Sequence, residues 1–181
     1  KTPKHDMASF QALHGDLHSA ATVRLLPHLQ KTTSDHPLAA AALATLQGFD
    51  GEMRADTAAP LVFTAWVDEF TRGVIGDKLG QERFKGLYGK RLFRPAVEGI
   101  LARDDTGWCG AGGCSAASSA ALGRALDKLS QMQGNDVSAW RWGRSHQAYS
   151  VHKPLGNVPA LAKWFDVRRP TGGDPFTVNV G

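Results

Sequence analysis

Five groups of residues have types and spacings that could do chemistry. His14 and His18 are four apart in a stretch read as helical, which would put both rings on one face and allow zinc binding. The Glu of an H-E-x-x-H pair is missing and no third ligand follows, so they read as two surface histidines, with a zinc hydrolase as a rival. Ser145, His146 and Ser150 could be composed into a triad, but no G-x-S-x-G elbow carries them. His146 and His152 flank Tyr149 and titrate near neutral pH. With no carboxylate or nucleophile evident beside them, they are read as partners of backbone groups in an irregular aromatic segment. Asp104-Asp105 could touch calcium and reads instead as a solvated turn. Gly172-Gly173-Asp174 lacks the P-loop pattern and is read as a tight turn that feeds a strand.

Cys109 and Cys114 are the two cysteines. A C-x4-C pair without a matching second pair is a poor zinc site. A disulfide closing a small Gly-rich loop is the better reading, and it would imply an oxidising compartment. Two reduced cysteines in a loop remain the alternative.

The elements that must position these groups are mostly helical. Of the 181 residues, 42% are hydrophobic and 21% charged, enough for one domain with a real core. Thr2-Pro3 reads as a helix start, and Phe10, Leu13, Leu17, Ala20 and Ala21 predict one helix to about Leu26, kinked or ended by Pro27. Pro37 opens an Ala-rich helix through Leu46, stopped at Gly48 to Gly51. Thr57 is the expected cap of the most secure helix, whose Phe63, Trp66, Val67, Phe70 and Val74 follow i, i+3, i+4, i+7 spacing. Asp68, Glu69 and Arg72 are assigned to its other face. Gly80 to Lys90 predicts a short helix and turn, interrupted at Gly86 and Gly89. Arg94-Pro95 opens a helix to about Ala102. A loop follows from Arg103 to Ser115. Ser115 or Ser118 is expected to cap a helix with the stripe Leu122, Leu126, Leu129 and Met132, ended by Gly134. Beyond it, Trp140 to Pro154 reads as irregular or strand-like, Val158 to Phe165 as a Pro-started helix, and Phe176 to Val180 as a strand. The aromatic pairs Trp140/Trp142 and Trp164/Phe165 read as core or interface anchors.

Charge excludes little but points away from nucleic acid. The formal net charge is +4, and no Lys/Arg run exceeds two residues. No apolar run approaches the ~20 residues of a membrane span. The text after Lys1 is polar, without a signal-peptide pattern, and Lys1 reads as a cut or processing point. The strand at Phe176 to Val180 is expected to pair with something outside the sequence, so the chain reads as an excerpt of something larger.

The motifs, taken in order, carry a resemblance. Asp6-Met7, Gln11, Asp16, Ser19, Ala20 and Leu25-Leu26-Pro27 come first, then L-x-x-F-D-G at Leu46 to Gly51 and the helix start at Asp56 to Phe63. T-G-W-C at Thr106 to Cys109 and the second Cys114 follow. W-R-W-G-R-S-H at Trp140 to His146, H-K-P-L-G at His152 to Gly156, and G-G-D-P-F-T-V-N at Gly172 to Asn179 complete the series. This series resembles the late β-subunit segment of the penicillin acylase (penicillin amidase) family of N-terminal-nucleophile (Ntn) hydrolases, including its acyl-homoserine-lactone acylase-like members. The resemblance supports the oxidised reading of Cys109 and Cys114, although Gly110 to Gly113 is less acidic than the usual form.

The resemblance implies a precursor that cleaves itself into α and β chains, with the N-terminal Ser of the β chain as nucleophile and its own amine as base. The reaction is hydrolysis of an amide between an acyl group and a small amine: a β-lactam nucleus, a homoserine lactone or a lipopeptide. None of that machinery maps here: the nucleophile, the catalytic Asn and a nearby Arg would precede Lys1, and a G-Q-S-G element would follow Gly181. No catalytic or metal residue is therefore assigned in this chain. Asp16, Trp142, Gly143, His146, His152, Pro154, Gly156, Gly173 and Asn179 are assigned as structural motif residues. No cofactor is required of this segment, and any calcium in the parent enzyme is expected elsewhere. Its expected partners are the rest of the β chain and the α chain, in a periplasmic or secreted enzyme that binds a small N-acyl substrate. The expected fold is mainly α with a small β appendage: residues 1–139 a helical lobe of an α+β (αββα) enzyme, and 140–181 an aromatic segment, short helix and return strand. A free-standing helical interaction module is the alternative.

Overall fold

The computed structural model describes residues 4–88 and 93–180, with the side chain of Gln81 set aside. The Thr2-Pro3 helix start and the interruption at Gly89 lie outside those residues. Eleven α-helices are described: α1 Met7–His14, α2 Ala20–Gln30, α3 Ala39–Ala44, α4 Ala59–Thr71, α5 Asp77–Leu79, α6 Gln81–Tyr88, α7 Phe93–Ala102, α8 Thr106–Cys109, α9 Gly113–Gln133, α10 Trp142–Ser145 and α11 Pro159–Phe165, with a π-helical turn at Arg72–Gly76 joining α4 to α5. Two short strands, β1 Gln147–Ser150 and β2 Val167–Pro170, form an antiparallel ribbon in the register Gln147 to Pro170 and Ser150 to Val167. Among the described residues the protein is thus mainly helical with a small β element. No described helix is long and apolar enough to cross a membrane.

The core is built on α4 and α9. Pro60 sits in the first turn of α4, where its missing N–H has no helical acceptor to lose. Phe63, Trp66 and Phe70 then line the predicted face and are fully buried. They meet Ala121, Leu122, Ala125, Leu126 and Leu129 of α9, where the two alanines leave room for the aromatic rings. Burial of each aromatic side chain contributes roughly 1.5–3 kcal/mol. Trp66 keeps its polar atom satisfied: Nε1 donates to Ser118 Oγ at 3.0 Å. Thr32 Oγ1 lies 2.6 Å from Ser118 Oγ and donates its own proton to the His28 carbonyl at 2.9 Å, so Ser118 is the donor between the two hydroxyls.

Glu69 departs from the sequence expectation. It is 3% exposed and faces α9 rather than solvent. Arg124 Nε reaches it at 3.1 Å, Lys128 Nζ makes a short contact, and Arg72 Nε stands 3.7 Å away. The cause is helical geometry: Glu69 lies three residues from Trp66 and one from Phe70, on the edge of the buried stripe. Arg124 and Lys128, four apart on α9, supply the charge that makes this burial tolerable.

Other boundaries moved for local reasons. The single first helix is broken: Gly15 caps α1, the Asp16 carboxylate accepts the His18 N–H at 2.8 Å, and Leu17 O accepts Met53 N–H at 2.9 Å. A short acidic side chain that captures a nearby N–H competes with the helix. Phe10 and Leu13 are consequently 48% and 42% exposed. Ser19 caps α2 through Thr22 N–H, and Pro27 lies inside that helix, which continues to Gln30. Thr57 is not the cap of α4; its hydroxyl turns back to Arg54 O at 3.4 Å. The predicted 103–115 loop contains α8, and α9 begins at Gly113, before either serine. There Asp104 Oδ1 accepts the Cys114 N–H at 2.8 Å, capping the helix from the preceding turn. Met132, expected in the stripe, is 63% exposed. Gly86 does not interrupt α6.

Two predictions test this core. Leu126→Ala, at a fully buried position, should lower stability by about 2–5 kcal/mol in urea melts. Burial by itself would raise the Glu69 pKa, but the hydrogen bonds from Lys128 and Arg124 outweigh it and hold the carboxyl below its ordinary 4.5. A depressed folded-state pKa means that the contribution is full above about 4.5 and is lost as pH falls through the lower folded value. Glu69→Gln should therefore flatten the fall in melting temperature below that pH; an unchanged acid limb would remove Glu69 as its source.

Candidate functional site

The segment 51–57 is the seam where the motifs from both ends of the chain meet. Ser19 N–H donates to Gly51 O at 2.9 Å, Gly143 N–H to Ala55 O at 2.8 Å, Trp142 N–H to Thr57 O at 2.9 Å and Gly173 N–H to Met53 O at 2.8 Å. The four bonds join three separate parts of the chain to one short stretch. Gly143 is required by closeness: a Cβ there would stand 2.8 Å from Pro170 Cβ and 3.0 Å from Ala55 Cβ.

The polar centre of this seam is Asp174, 2% exposed. Its carboxylate accepts Ser19 Oγ–H at 3.1 Å and Phe176 N–H at 2.7 Å, while its own N–H donates to Thr177 Oγ1 at 2.9 Å. The Thr177 hydroxyl lies against the carbonyl oxygens of Asp174 and Asn179. These side chains capture the backbone groups that a strand would have used, so Phe176 to Val180 is a series of turns and bends rather than the predicted strand. Asn179 N–H donates to Asp16 O at 2.9 Å, which ties the segment back to the connection between α1 and α2.

Of the assigned motif residues, Asp16, Trp142, Gly143, His146, Gly173 and Asn179 come together here. Trp142 Nε1 donates to Gly173 O at 3.0 Å, and its ring stacks on His146 at 4.7 Å and 7°. His146 Nδ1 lies 3.2 Å from Thr171 O. His152, Pro154 and Gly156 stand apart, in the exposed segment around the β-ribbon. His152 donates its backbone N–H to Asp166 Oδ1 at 3.0 Å, and Tyr149 Oη–H donates to Asp166 Oδ2 at 2.6 Å. A carboxylate therefore does stand beside His152 and Tyr149, brought across by strand pairing. Gly156 N–H reaches His152 O at 2.6 Å, and the Lys153–Pro154 peptide is cis.

The remaining groups are structural. His14 ends α1 and His18 lies beyond Gly15, bridging Glu52, so they do not share a helical face. Asp104 caps α9, and Asp105 lies 3.6 Å from Arg103, which is more than a solvated turn. Cys109 and Cys114 form a disulfide. Trp140 is fully buried and donates Nε1–H to Gly134 O at 2.8 Å, whereas Trp164 and Phe165 are 75% and 42% exposed.

A second buried polar group escaped the sequence reading. Asp68, Tyr88 and Arg94 gather between α4, α6 and α7, with the Tyr88 hydroxyl on Asp68 Oδ1. Burial raises the Asp68 carboxyl, opposed by Tyr88, Arg94 and Arg72. Burial and then the Asp68 charge raise the Tyr88 phenol, and burial lowers Arg94. The Arg94 guanidinium lies 4.7 Å from the Phe176 ring and 5.5 Å from that of Phe63. The phenol donates its proton to the carboxylate, which ties α4 to α6. An apolar cleft of about 410 Å³ beside α7, walled by Ile75, Leu79, Phe93, Ile100 and Trp108, has Arg103 as the charged residue of its described lining. Among the described residues no group of three or more His, Cys, Asp or Glu could hold a metal.

The geometry thus defines a mainly helical unit stitched along one seam. The chain belongs to the penicillin amidase family, which it matches over residues 1–181. It is similar to the acyl-homoserine lactone acylase QuiP of Pseudomonas syringae pv. syringae (strain B728a), at 25% identity over 159 residues. That similarity covers 81% of this chain and 19% of the relative, so the chain spans about a fifth of the relative's length.

Gly173 offers the sharpest test of the seam. Its φ is +86°, and a Cβ would lie 2.0 Å from Asn179 O. Gly173→Ala should cost about 2 kcal/mol or more and open residues 174–180 to limited proteolysis. Wild-type stability and cleavage would remove the seam from the fold's requirements.

Proposed function

We propose that this chain is a non-catalytic part of the β subunit of a penicillin acylase-type amidohydrolase. The parent enzyme hydrolyses the amide bond of an N-acylated small molecule: a homoserine lactone, a β-lactam or a lipopeptide. The observation that carries this reading is the seam itself. The residues that mark the family, drawn from both ends of the chain, serve one another's backbone groups, and none carries an activated nucleophile. Their role is to hold a helical lobe against the catalytic layers of an Ntn enzyme.

The lobe works without a cofactor of its own, and its partners are the α chain and the rest of the β chain. The Cys109–Cys114 disulfide supports an oxidising compartment, periplasmic or extracellular. Autocatalytic release of the β-chain N-terminus would create the nucleophile outside these residues.

Amine release from N-acyl-homoserine lactones of graded chain length and from an N-acyl β-lactam tests this directly. The processed full-length protein should release amine, and the 181-residue chain by itself should not. Hydrolysis by the isolated chain would overturn the non-catalytic assignment. Failure of the processed protein on every N-acyl amide would overturn the acylase reading.

A further inference from the structure

Residues 147–170 form an arm that the core does not cover. The sequence is the ribbon β1–β2 with the turn at Leu155–Asn157 and α11 between its strands. None of these residues is buried. Both strands are exposed along their whole length, and α11 has no buried residue. Yet the arm is rich in apolar surface: Tyr149, Val158, Trp164, Phe165 and Val167 are 51%, 47%, 75%, 42% and 51% exposed. A two-stranded ribbon without a third strand or a covering layer is marginal in water. Clustered exposed aromatics of this kind mark an interaction surface.

Three observations specify the occupant. The first is charge. Lys153, Lys163, Arg168 and Arg169 are exposed on the arm, against Asp166 as its acid. Asp166, held ionised by hydrogen bonds from Tyr149 and the His152 N–H, offsets one of these four charges and leaves the arm with a net excess of three cations. The second is the presentation of the cations. Arg168 lies 4.3 Å over the Tyr149 ring and Lys163 5.4 Å over Trp164, which spreads mixed cationic and aromatic surface over the arm. The third is the backbone. The sheet has two strands among the described residues, so the outer edges of β1 and β2 present unpaired N–H and C=O groups. A lipid surface cannot satisfy such edges, whereas another strand can.

We propose that the arm docks by adding its ribbon to the edge of a β-sheet on an acidic protein surface with apolar pockets for Trp164 and Tyr149, supplied by the parent enzyme outside these 181 residues. The proposal rests on the reading of the chain as part of a larger acylase. It adds the docking element, its mode and the charge of its partner. Electrostatic complementarity would set the register, and backbone pairing with aromatic burial would hold it.

The test uses the full-length processed enzyme, with N-acyl amide hydrolysis measured on the same preparation. In an isolated ribbon, alternate amides of each strand point outward and exchange quickly. With a third strand, all amides of residues 147–150 or of 167–169 should exchange about 100-fold slower than free amides. Carbodiimide coupling should join Lys153 or Lys163 to an Asp or Glu outside residues 1–181. Arg168→Glu with Arg169→Glu should restore fast exchange on the paired strand. Fast outward amides on both strands, or couplings confined to residues 1–181, would overturn the proposal. So would protection that arises only with phosphatidylserine vesicles, which would make the arm a membrane element. An active enzyme with a free arm refutes the docking inference alone; an inactive enzyme refutes the acylase reading.

Discussion

Helix α4 cannot be left in water, and most of the fold follows from covering it. Phe63, Trp66 and Phe70 are buried on one side, and Glu69 is buried beside them. Only a partner that offers small residues for the rings and cations for the carboxylate can close over both. Helix α9 does so, with Ala121 and Ala125 against the aromatics and Arg124 and Lys128 on Glu69. The Trp66 indole, Ser118 and Thr32 then draw the end of α2 into the same contact. The charged contact restricts the rotation of α9, because turning Arg124 and Lys128 away would leave Glu69 buried without a partner.

The second constraint is the closure of residues 51–57. This short stretch packs one fully buried side chain, Met53, and organises its neighbours mainly through backbone carbonyls. Four of them accept N–H groups from Ser19, Trp142, Gly143 and Gly173. Asp174 replaces a ladder of strand hydrogen bonds with side-chain bonds to Ser19 and Phe176. The residues around this stretch thus solve a folding problem. They allow two distant parts of the chain to approach without a side chain in the way, as at Gly143.

The arm of residues 147–170 contrasts with this economy. The core buries its aromatics and surrounds Glu69 with cations; the arm exposes aromatics and carries four cations against one acid. The seam fixes the base of the arm, through Trp142, Gly143 and Pro170, so its direction relative to the helices is set by the fold.

Strong local patterns were legible in the sequence. The buried face of α4, the Leu122, Leu126 and Leu129 stripe of α9, the stop at Gly134, the Pro-started α11 and the helix after Arg94 all follow from periodicity or backbone chemistry that neighbouring residues decide among themselves. The ordered motifs also carried the family. Other features depended on residues far away in sequence. Glu69 looked solvent-facing because Arg124 and Lys128 are 55 and 59 positions away. Phe176 to Val180 alternates like a strand, but Asp174 and Thr177 took its backbone groups once Ser19 had fixed the Asp174 carboxylate. The first helix looked continuous until Leu17 bonded Met53. Asp68, Tyr88 and Arg94 carried no local signal, since three helices must pack before their charges meet. Sequence alone determined the long amphipathic helices and the family, because both are written in near-neighbour spacing; tertiary structure decided the short helices, the broken first helix and which polar groups were buried and paired, because desolvation acts only after distant elements have closed over them.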